Sequence, residues 1–288
     1  MARWPQIGQQ RRERAPAAAG GSGFGDHGSI TWGRRWGLSM PGQQMLASGI
    51  LVTARVSSLI SSGSRRRHQW TLCRSGSMKI RPEHEKADPM KFYLASDQGQ
   101  LVERYDRAAD VYDEAMSDDV GWTGHTELAK VVGRYVHPSA RLMDAGAGTG
   151  MLGDELAKLG FDNMDANDLS PGMLERAHKK GIYKDCQVAE LGKPMSYASD
   201  SYDAAAACGV FTPNHAPASG FDELVRVTKP DGLVLFTLRS DETPQDFPPK
   251  MEQLSKQGKW KLVEACEPFP SIAAEPHIRH RCWVYRVL

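Results

Sequence analysis

The chain has 288 residues with a formal net charge of +1 and five cysteines, a length that fits one large domain or two small ones. The near-neutral total hides two unlike parts: residues 1–82 carry 13 Lys and Arg against Glu13 and Asp26, whereas the remainder carries 23 basic and 33 acidic groups. Cys73, Cys186, Cys208, Cys266 and Cys282 are odd in number and widely spaced, which argues against a disulfide framework and a zinc ribbon and points to reduced thiols in an intracellular compartment.

Residues 1–88 read as a disordered basic leader. They are rich in Gly, Ser and Arg, with arginine runs at Arg11, Arg12 and Arg65 to Arg67, and lack the apolar periodicity that would repay ordering entropy. Its origin is open between an organellar transit peptide, a solvated tail and an upstream extension with Met78 or Met90 as the working start. The compartment is accordingly expected to be cytoplasmic, or mitochondrial if the leader is a transit peptide. No stretch reaches the length of a membrane span, since Met45 to Val56 is short and broken by Ser48, Gly49 and Arg55. Aromatic residues are sparse around the arginines and the following domain is acidic, so no nucleic-acid partner is expected.

From about Asp97 the texture alternates between helical and strand-like segments, the pattern of an α/β domain over 89–288. Helices are predicted over Gln98 to Met116 and Thr123 to Val136. Arg141 to Ala145 is the first strand, followed by Gly146, Gly148 and Gly150 and by a helix with Leu152, Leu156 and Leu159 on one face. A second strand over Met164 to Asn167 ends at Asp168, where Ser170 and Pro171 supply an N-cap and a first-turn proline for the helix Gly172 to Lys180.

Cys186 to Leu191 and Tyr202 to Cys208 are strands three and four, Phe221 to Thr228 a helix and Leu233 to Leu238 strand five, with Lys229 to Gly232 as the turn before it. A helix over Phe247 to Gln257 and an antiparallel hairpin from Trp260 to Phe269 and His280 to Leu288 complete a Rossmann-like, seven-stranded, mainly parallel sheet with helices on both faces. His277, His280 and Cys282 lack a second ligand pair at zinc-type spacing and are expected to be ordinary strand or surface residues, so no metal is expected.

Glycines directly after a strand allow a turn without a Cβ clash and a close ligand approach, and the next helix offers free N–H groups and a positive dipole end. Two cofactor classes compete for this turn. Gly148, Gly150 and Gly153 satisfy the dinucleotide fingerprint, with Asp168 at the ribose-acid spacing, which would suit an NAD(P)-dependent oxidoreductase. Read instead from Gly146, the turn opens directly after a strand that carries Asp144.

Asp144 to Gly150 resembles motif I of the class I S-adenosylmethionine-dependent methyltransferases, and Asp168 to Leu174 resembles that family's second-strand motif. Ser201 to Asp203 and Val227 to Val234 are similar to its later motifs, in order. Within the family, Ser170 to Ala177, Gly181 to Tyr183, Thr228 to Val234 and Gly258 to Trp260 resemble the methyltransferase-like proteins named for the Williams–Beuren syndrome chromosome region. Strand two is more polar than usual, with Asp165 and Asn167, and the third-strand acid is Glu190 in place of Asp.

The resemblance implies S-adenosyl-L-methionine as cofactor and a methyl acceptor, a small molecule by default. Gly146, Gly148 and Gly150 would line its methionine end, with Asp144 ordering the turn and the ammonium contacts. Asp168 would accept the ribose hydroxyls, Leu169 and Met173 would flank the adenine, and Glu190 with Leu191 would meet its edge. Cys208 and Gly209 would lie below the sulfonium. His215, in the loop after strand four, is the candidate general base, and Tyr112 is a second catalytic candidate. Tyr105 and Tyr112, seven apart, are expected on one face of the covering helix next to Asp113. A third reading is a non-catalytic S-adenosylmethionine-binding module.

Overall fold

A computed structural model describes residues 78–288 apart from residue 213, so the expected leader over 1–77 lies outside the described residues. Its last stretch differs from expectation. Pro82–Ala87 is a short 3-10 helix with His84 and Ala87 buried, because His84 Nδ1 lies 2.8 Å from Asp119 Oδ2 and Arg81 Nε reaches Asp119 Oδ1 at 2.6 Å. These pairs tie the acidic segment that follows to the final basic residues before it.

Helices α1 (Pro89–Tyr93) and α2 (Gln98–Ala108) come next, then the single turn α3 (Tyr112–Glu114) and a π-helical turn, Ala115–Val120. The one long helix expected from Gln98 to Met116 is therefore divided at residues 109–111. Its pieces fold back over a separate small core of Phe92, Leu101, Ala108, Met116, Val120 and Met173.

The body begins with α4 (Gly124–Tyr135) and continues β1 (Leu142–Ala145), α5 (Met151–Lys158), β2 (Met164–Asp168), α6 (Pro171–Lys179), β3 (Asp185–Val188) and β4 (Tyr202–Ala207). It closes with α7 (Gly220–Val227), β5 (Thr228–Arg239), α8 (Phe247–Lys256), β6 (Trp260–Ala265), β7 (Phe269–Pro270) and β8 (Arg279–Val287). The sheet order is β3-β2-β1-β4-β5-β8-β6, with β7 paired to β8. The first five strands are parallel, and β8 runs antiparallel between β5 and β6, as the expected closing hairpin requires.

Strand alternation divides the core into two layers. Leu142, Met164, Ala204, Leu235 and Val284 pack with α4, α5 and α6 on one face. Met143, Ala205, Val234, Phe236 and Tyr285 pack with α7, α8 and Trp260 on the other. Burying the Leu, Met, Val and Phe side chains among them contributes roughly 1.5–3 kcal/mol each relative to exposure.

The turn expected at Lys229 to Gly232 is absorbed into β5 as an irregularity. Thr228 pairs with Tyr202 and Leu233 already pairs with Ala204, so the intervening residues loop out. Asp231 there adopts φ +65, and a Cβ on Gly232 would lie 2.8 Å from the carbonyl oxygens of Asp203 and Lys229. The polarity of β2 also has a local cause. Asp165 is buried but accepts from Arg141 Nη2 at 2.8 Å and from the Tyr202 hydroxyl at 2.8 Å. No helix among the described residues is long and apolar enough to cross a membrane.

Candidate active site

The carboxyl ends of β1, β2 and β4 open into one cavity, roofed by α2 and α3. Switch points of this kind collect ligands in doubly wound sheets, because loops diverge there and helix N-termini converge. Asp144, Gly146, Gly148, Asp168, Leu169 and Met173 line the cavity, as do Glu190, Leu191, Cys208, Gly209, Tyr105, Tyr112 and His215. Gly150 is set back from it: with φ +90 it precedes α5, and an added Cβ would sit 3.1 Å from the Tyr183 ring. The glycine turn thus uses its third glycine for packing.

The turn is shaped by β2. Asn167 Oδ1 accepts from the Gly146 amide at 3.2 Å, the Asn167 carbonyl accepts from Ala147 at 2.8 Å, and Asp168 Oδ2 accepts from Gly148 at 2.8 Å. Asp168 Oδ1 accepts from the Ser170 amide at 2.9 Å. Each carboxylate oxygen of Asp168 therefore keeps acceptor capacity beyond the one backbone bond that fixes it. Burial raises its pKa, and the Ser170, Gly148 and Leu169 amides oppose that shift. An added Cβ on Gly148 would meet nothing within 4 Å, so that position opens on free space, whereas one on Gly146 would meet Val210 Cγ2 at 2.4 Å.

Asp144 is 1% exposed. The Tyr183 hydroxyl donates to its Oδ2 at 2.6 Å, and burial pushes its pKa up to about 7 against the lowering effect of that bond. Its other oxygen, Oδ1, is buried without a hydrogen-bond partner. Four buried polar side-chain atoms among the described residues share that condition, and three of them (Gln98 Oε1, His125 Nδ1 and Asp144 Oδ1) belong to residues lining this cavity. An unmet buried polar group costs about 1–3 kcal/mol, so their concentration in one place marks a site shaped for a polar ligand.

The roof is clamped from two directions. Asp106 accepts from the Ser170 hydroxyl at 2.5 Å and from the Gly172 amide at 2.8 Å, engaging the first turn of α6. Asp113 accepts from the Thr149 hydroxyl and from Lys180 Nζ at 2.8 Å, and Lys180 also binds Asp154. Tyr105 and Tyr112 do meet, with ring centroids 6.1 Å apart, but through a chain reversal and not along one helix face. Tyr105 stacks on Phe92 at 4.2 Å, and its hydroxyl lies 2.8 Å from His215 Nε2. Glu190 pairs with Lys193 at 2.6 Å while lining the cavity. Burial raises the Cys208 thiol pKa well above its ordinary value, which makes it a neutral wall group.

Sequence reasoning missed Gln98, Trp122, His125, Thr149 and Asn167 as lining residues. Asn167 carried a signal, an amide in a buried strand, whereas Trp122 and His125 reach the site from the approach to α4 and from its first turn. Neither His280 nor Cys282 is at this cavity. Both are buried on β8, and Nδ1 of His280 lies 2.7 Å from Ser271 Oγ.

Fold and cavity together define a doubly wound α/β domain with a glycine turn facing an acid one strand over. The family model described as Methyltransferase domain matches residues 143–236. The chain is 30% identical over 176 residues to methyltransferase-like protein 27 of Homo sapiens, covering 59% of this chain and 71% of that protein. It is also 30% identical over 152 residues to a demethylmenaquinone methyltransferase of Clavibacter sepedonicus, covering 51% and 60%. The fold is shared with the crystal structure of the cyclase SpnF, at TM-score 0.53 and 13% identity over 67% of this chain and 97% of that one. It is shared too with a Burkholderia thailandensis 1,6-didemethyltoxoflavin-N1-methyltransferase, at TM-score 0.50 and 15% identity over 66% and 86%. The chain belongs to the class I S-adenosylmethionine-dependent methyltransferases.

Proposed function

We propose that this protein transfers a methyl group from S-adenosyl-L-methionine to a small-molecule acceptor, and that the cavity at the ends of β1, β2 and β4 holds the cofactor. The observation that carries this reading is the orphaned Oδ1 of Asp144 beneath a glycine turn, with the fixed carboxylate of Asp168 on the adjacent strand. An amino-acid ammonium satisfies the first and a ribose diol the second, so the residues present fit the group.

On this reading Gly146 and Gly148 admit the methionine end, Leu169 and Met173 flank the adenine, and Glu190 with Leu191 border its edge. Gln98 from the roof and His125 from the first turn of α4 supply further polar contacts. When bound, the cofactor supplies a methyl group on a positively charged sulfur. The chain's own part is alignment, exclusion of water by the α2 and α3 roof, and removal of a proton from an acceptor that carries one. His215 is the group proposed for that proton, with Nε2 2.8 Å from the Tyr105 hydroxyl. Tyr112 is then a wall residue: burial raises its pKa, so its phenol stays protonated.

The narrower placement, among the proteins named for the Williams–Beuren syndrome chromosome region, rests on the segments at Ser170 to Ala177, Gly181 to Tyr183, Thr228 to Val234 and Gly258 to Trp260. The catalytic domain is proposed to comprise residues 89–288 with Pro82–Ala87 packed on it, preceded by the basic leader. Family membership does not favour the nicotinamide-dependent reading.

Calorimetric titration of the intact chain with S-adenosylmethionine and, separately, NAD tests the assignment. Binding of the first alone is expected, and binding of NAD in its place would reject it. Failure to release S-adenosylhomocysteine with any metabolite fraction, despite tight binding, would instead favour a non-catalytic module.

A further inference from the structure

A second cavity adjoins the first across Tyr105, Tyr112, Trp122, Cys208, Gly209 and His215, which line both. It is distinct in chemistry. Beyond the shared wall its lining is largely apolar, with Met90, Phe92, Met116, Val120, Ile272 and Ile278. Aromatic rings bound it: Phe92 stacks on Tyr105 with the two planes 8° apart, and Trp122 stands edge-on to His280 at 5.0 Å. Walls of this kind take a flat, apolar-bodied ligand, since ring faces stack and polar surface would be left unpaired.

The polar groups in the remaining wall have unequal capacity. His280 is held at Nδ1 by Ser271, and burial lowers its pKa to about 4, so it contributes no charge near neutrality. Glu275 is buried, with Oε2 3.5 Å from His277 Nδ1. Arg239 differs. Asp241 engages its Nε and Nη2 (3.1 and 2.8 Å to Oδ2) and Glu242 lies 3.5 Å from Nη2, but Nη1 makes no hydrogen bond among the described residues. Its side chain is only 15% exposed and borders both this cavity and a neighbouring one lined by Ser240, Asp241 and Arg281, so the guanidinium is anchored on the edge that Asp241 holds while Nη1 keeps donor capacity.

We propose that this second cavity is the acceptor chamber and that it selects a planar aromatic acceptor bearing an anionic oxygen group, a carboxylate or its equivalent, which Arg239 Nη1 binds. The inference rests on the cofactor assignment above and deepens it. The acceptor's hydroxyl or ring nitrogen would then lie at the shared wall. There its lone pair forms the new bond to the methyl carbon, the carbon–sulfur bond breaks with its electron pair passing to sulfur, and the acceptor proton goes to the His215 imidazole. Arg239 is a specificity-determining residue on this account and takes no part in the bond changes.

The test uses the intact chain saturated with S-adenosylhomocysteine and three probes that share one ring: 4-hydroxybenzoate, phenol and tyramine. Calorimetry is expected to show 4-hydroxybenzoate binding about tenfold more tightly than either of the others, the scale of one charge-assisted hydrogen bond. Arg239→Gln should abolish that preference while phenol and S-adenosylhomocysteine affinities stay within about twofold. If the Gln variant does not fold, Arg239→Lys serves, with the preference expected to shrink to about threefold as a point charge replaces the fork. Tighter binding of tyramine, no detectable binding of 4-hydroxybenzoate, or a preference that survives Arg239→Gln would overturn the proposal. Loss of S-adenosylhomocysteine binding by the unaltered chain would instead reject the cofactor assignment on which it rests.

Discussion

The Tyr183 hydroxyl donates to one carboxylate oxygen of Asp144 at 2.6 Å, and the other oxygen of that carboxylate is buried with no partner. The tyrosine holds the acid in place without satisfying it, and burial raises its pKa to about 7. That half-met carboxylate sets the pH behaviour of the site.

Pairing with an ammonium requires the ionised form of Asp144, so cofactor affinity should rise with pH through about 7 and level off above it. Below the midpoint the loss should approach tenfold per pH unit, because the site must release a proton in order to bind. Tyr183→Phe removes a bond that favours the charged form and should move the midpoint upward. Titration calorimetry between pH 5.5 and 8.5, in buffers of different ionisation enthalpy, reads both effects. The stability consequence has the opposite sign: the folded state binds a proton that the unfolded chain has released between about pH 4 and 7, so this group lowers stability as pH rises through that window.

Asp168→Ala should weaken cofactor affinity by about 1–3 kcal/mol, the scale of lost charge-assisted hydrogen bonds. Some thermal stability should go with it, since Gly148 and Ser170 lose their carboxylate acceptor. An unchanged dissociation constant in a folded Asp168→Ala protein would show that the acid plays no part in binding.

Gly146 and Gly148 both have φ near +60, so alanine at either costs about 1–2 kcal/mol of backbone strain. Their surroundings separate them. Gly146→Ala drives a methyl into Val210 and should lower the melting temperature further, whereas Gly148→Ala meets open space and should spare stability relative to Gly146→Ala while losing cofactor affinity. Melting curves with and without S-adenosylhomocysteine distinguish the two, and equal losses of stability would contradict the assignment of Gly148 to the open side.

Asp106→Ala releases the roof from the first turn of α6, where it bonds Ser170 and Gly172. Cofactor dissociation should accelerate by about tenfold, on the scale of one or two partly buried hydrogen bonds, with a smaller change in association rate. Stopped-flow tryptophan fluorescence, with a Trp122→Phe control that isolates Trp122 from the other six tryptophans, provides the signal, because Trp122 lines both cavities.

Much of the sheet was legible because β1, β4 and the second half of β5 are largely apolar and set off by Gly, Pro and Asp, and because the glycine turn and Asp168 stand at recognisable spacings. Asp144, Gly146, Gly148 and Asp168 line one cavity. The roof was less legible. Gln98 to Met116 reads as one periodic helix, yet it divides at residues 109–111, since packing Tyr105 and Tyr112 around Phe92 outweighs continuity of the helix. Gly150 looks equivalent to its neighbours in sequence, and only the position of Tyr183 shows that it serves packing. Lys229 to Gly232 has turn composition in full, but pairing on both sides draws it into β5 as a bulge.

A crystal structure of the intact chain with S-adenosylhomocysteine tests the central claim most directly. The account requires the ribose hydroxyls on the carboxylate of Asp168 and the amino group at Oδ1 of Asp144. Density for the ligand away from these two acids, or an amino group that leaves Asp144 Oδ1 unpartnered, would contradict it.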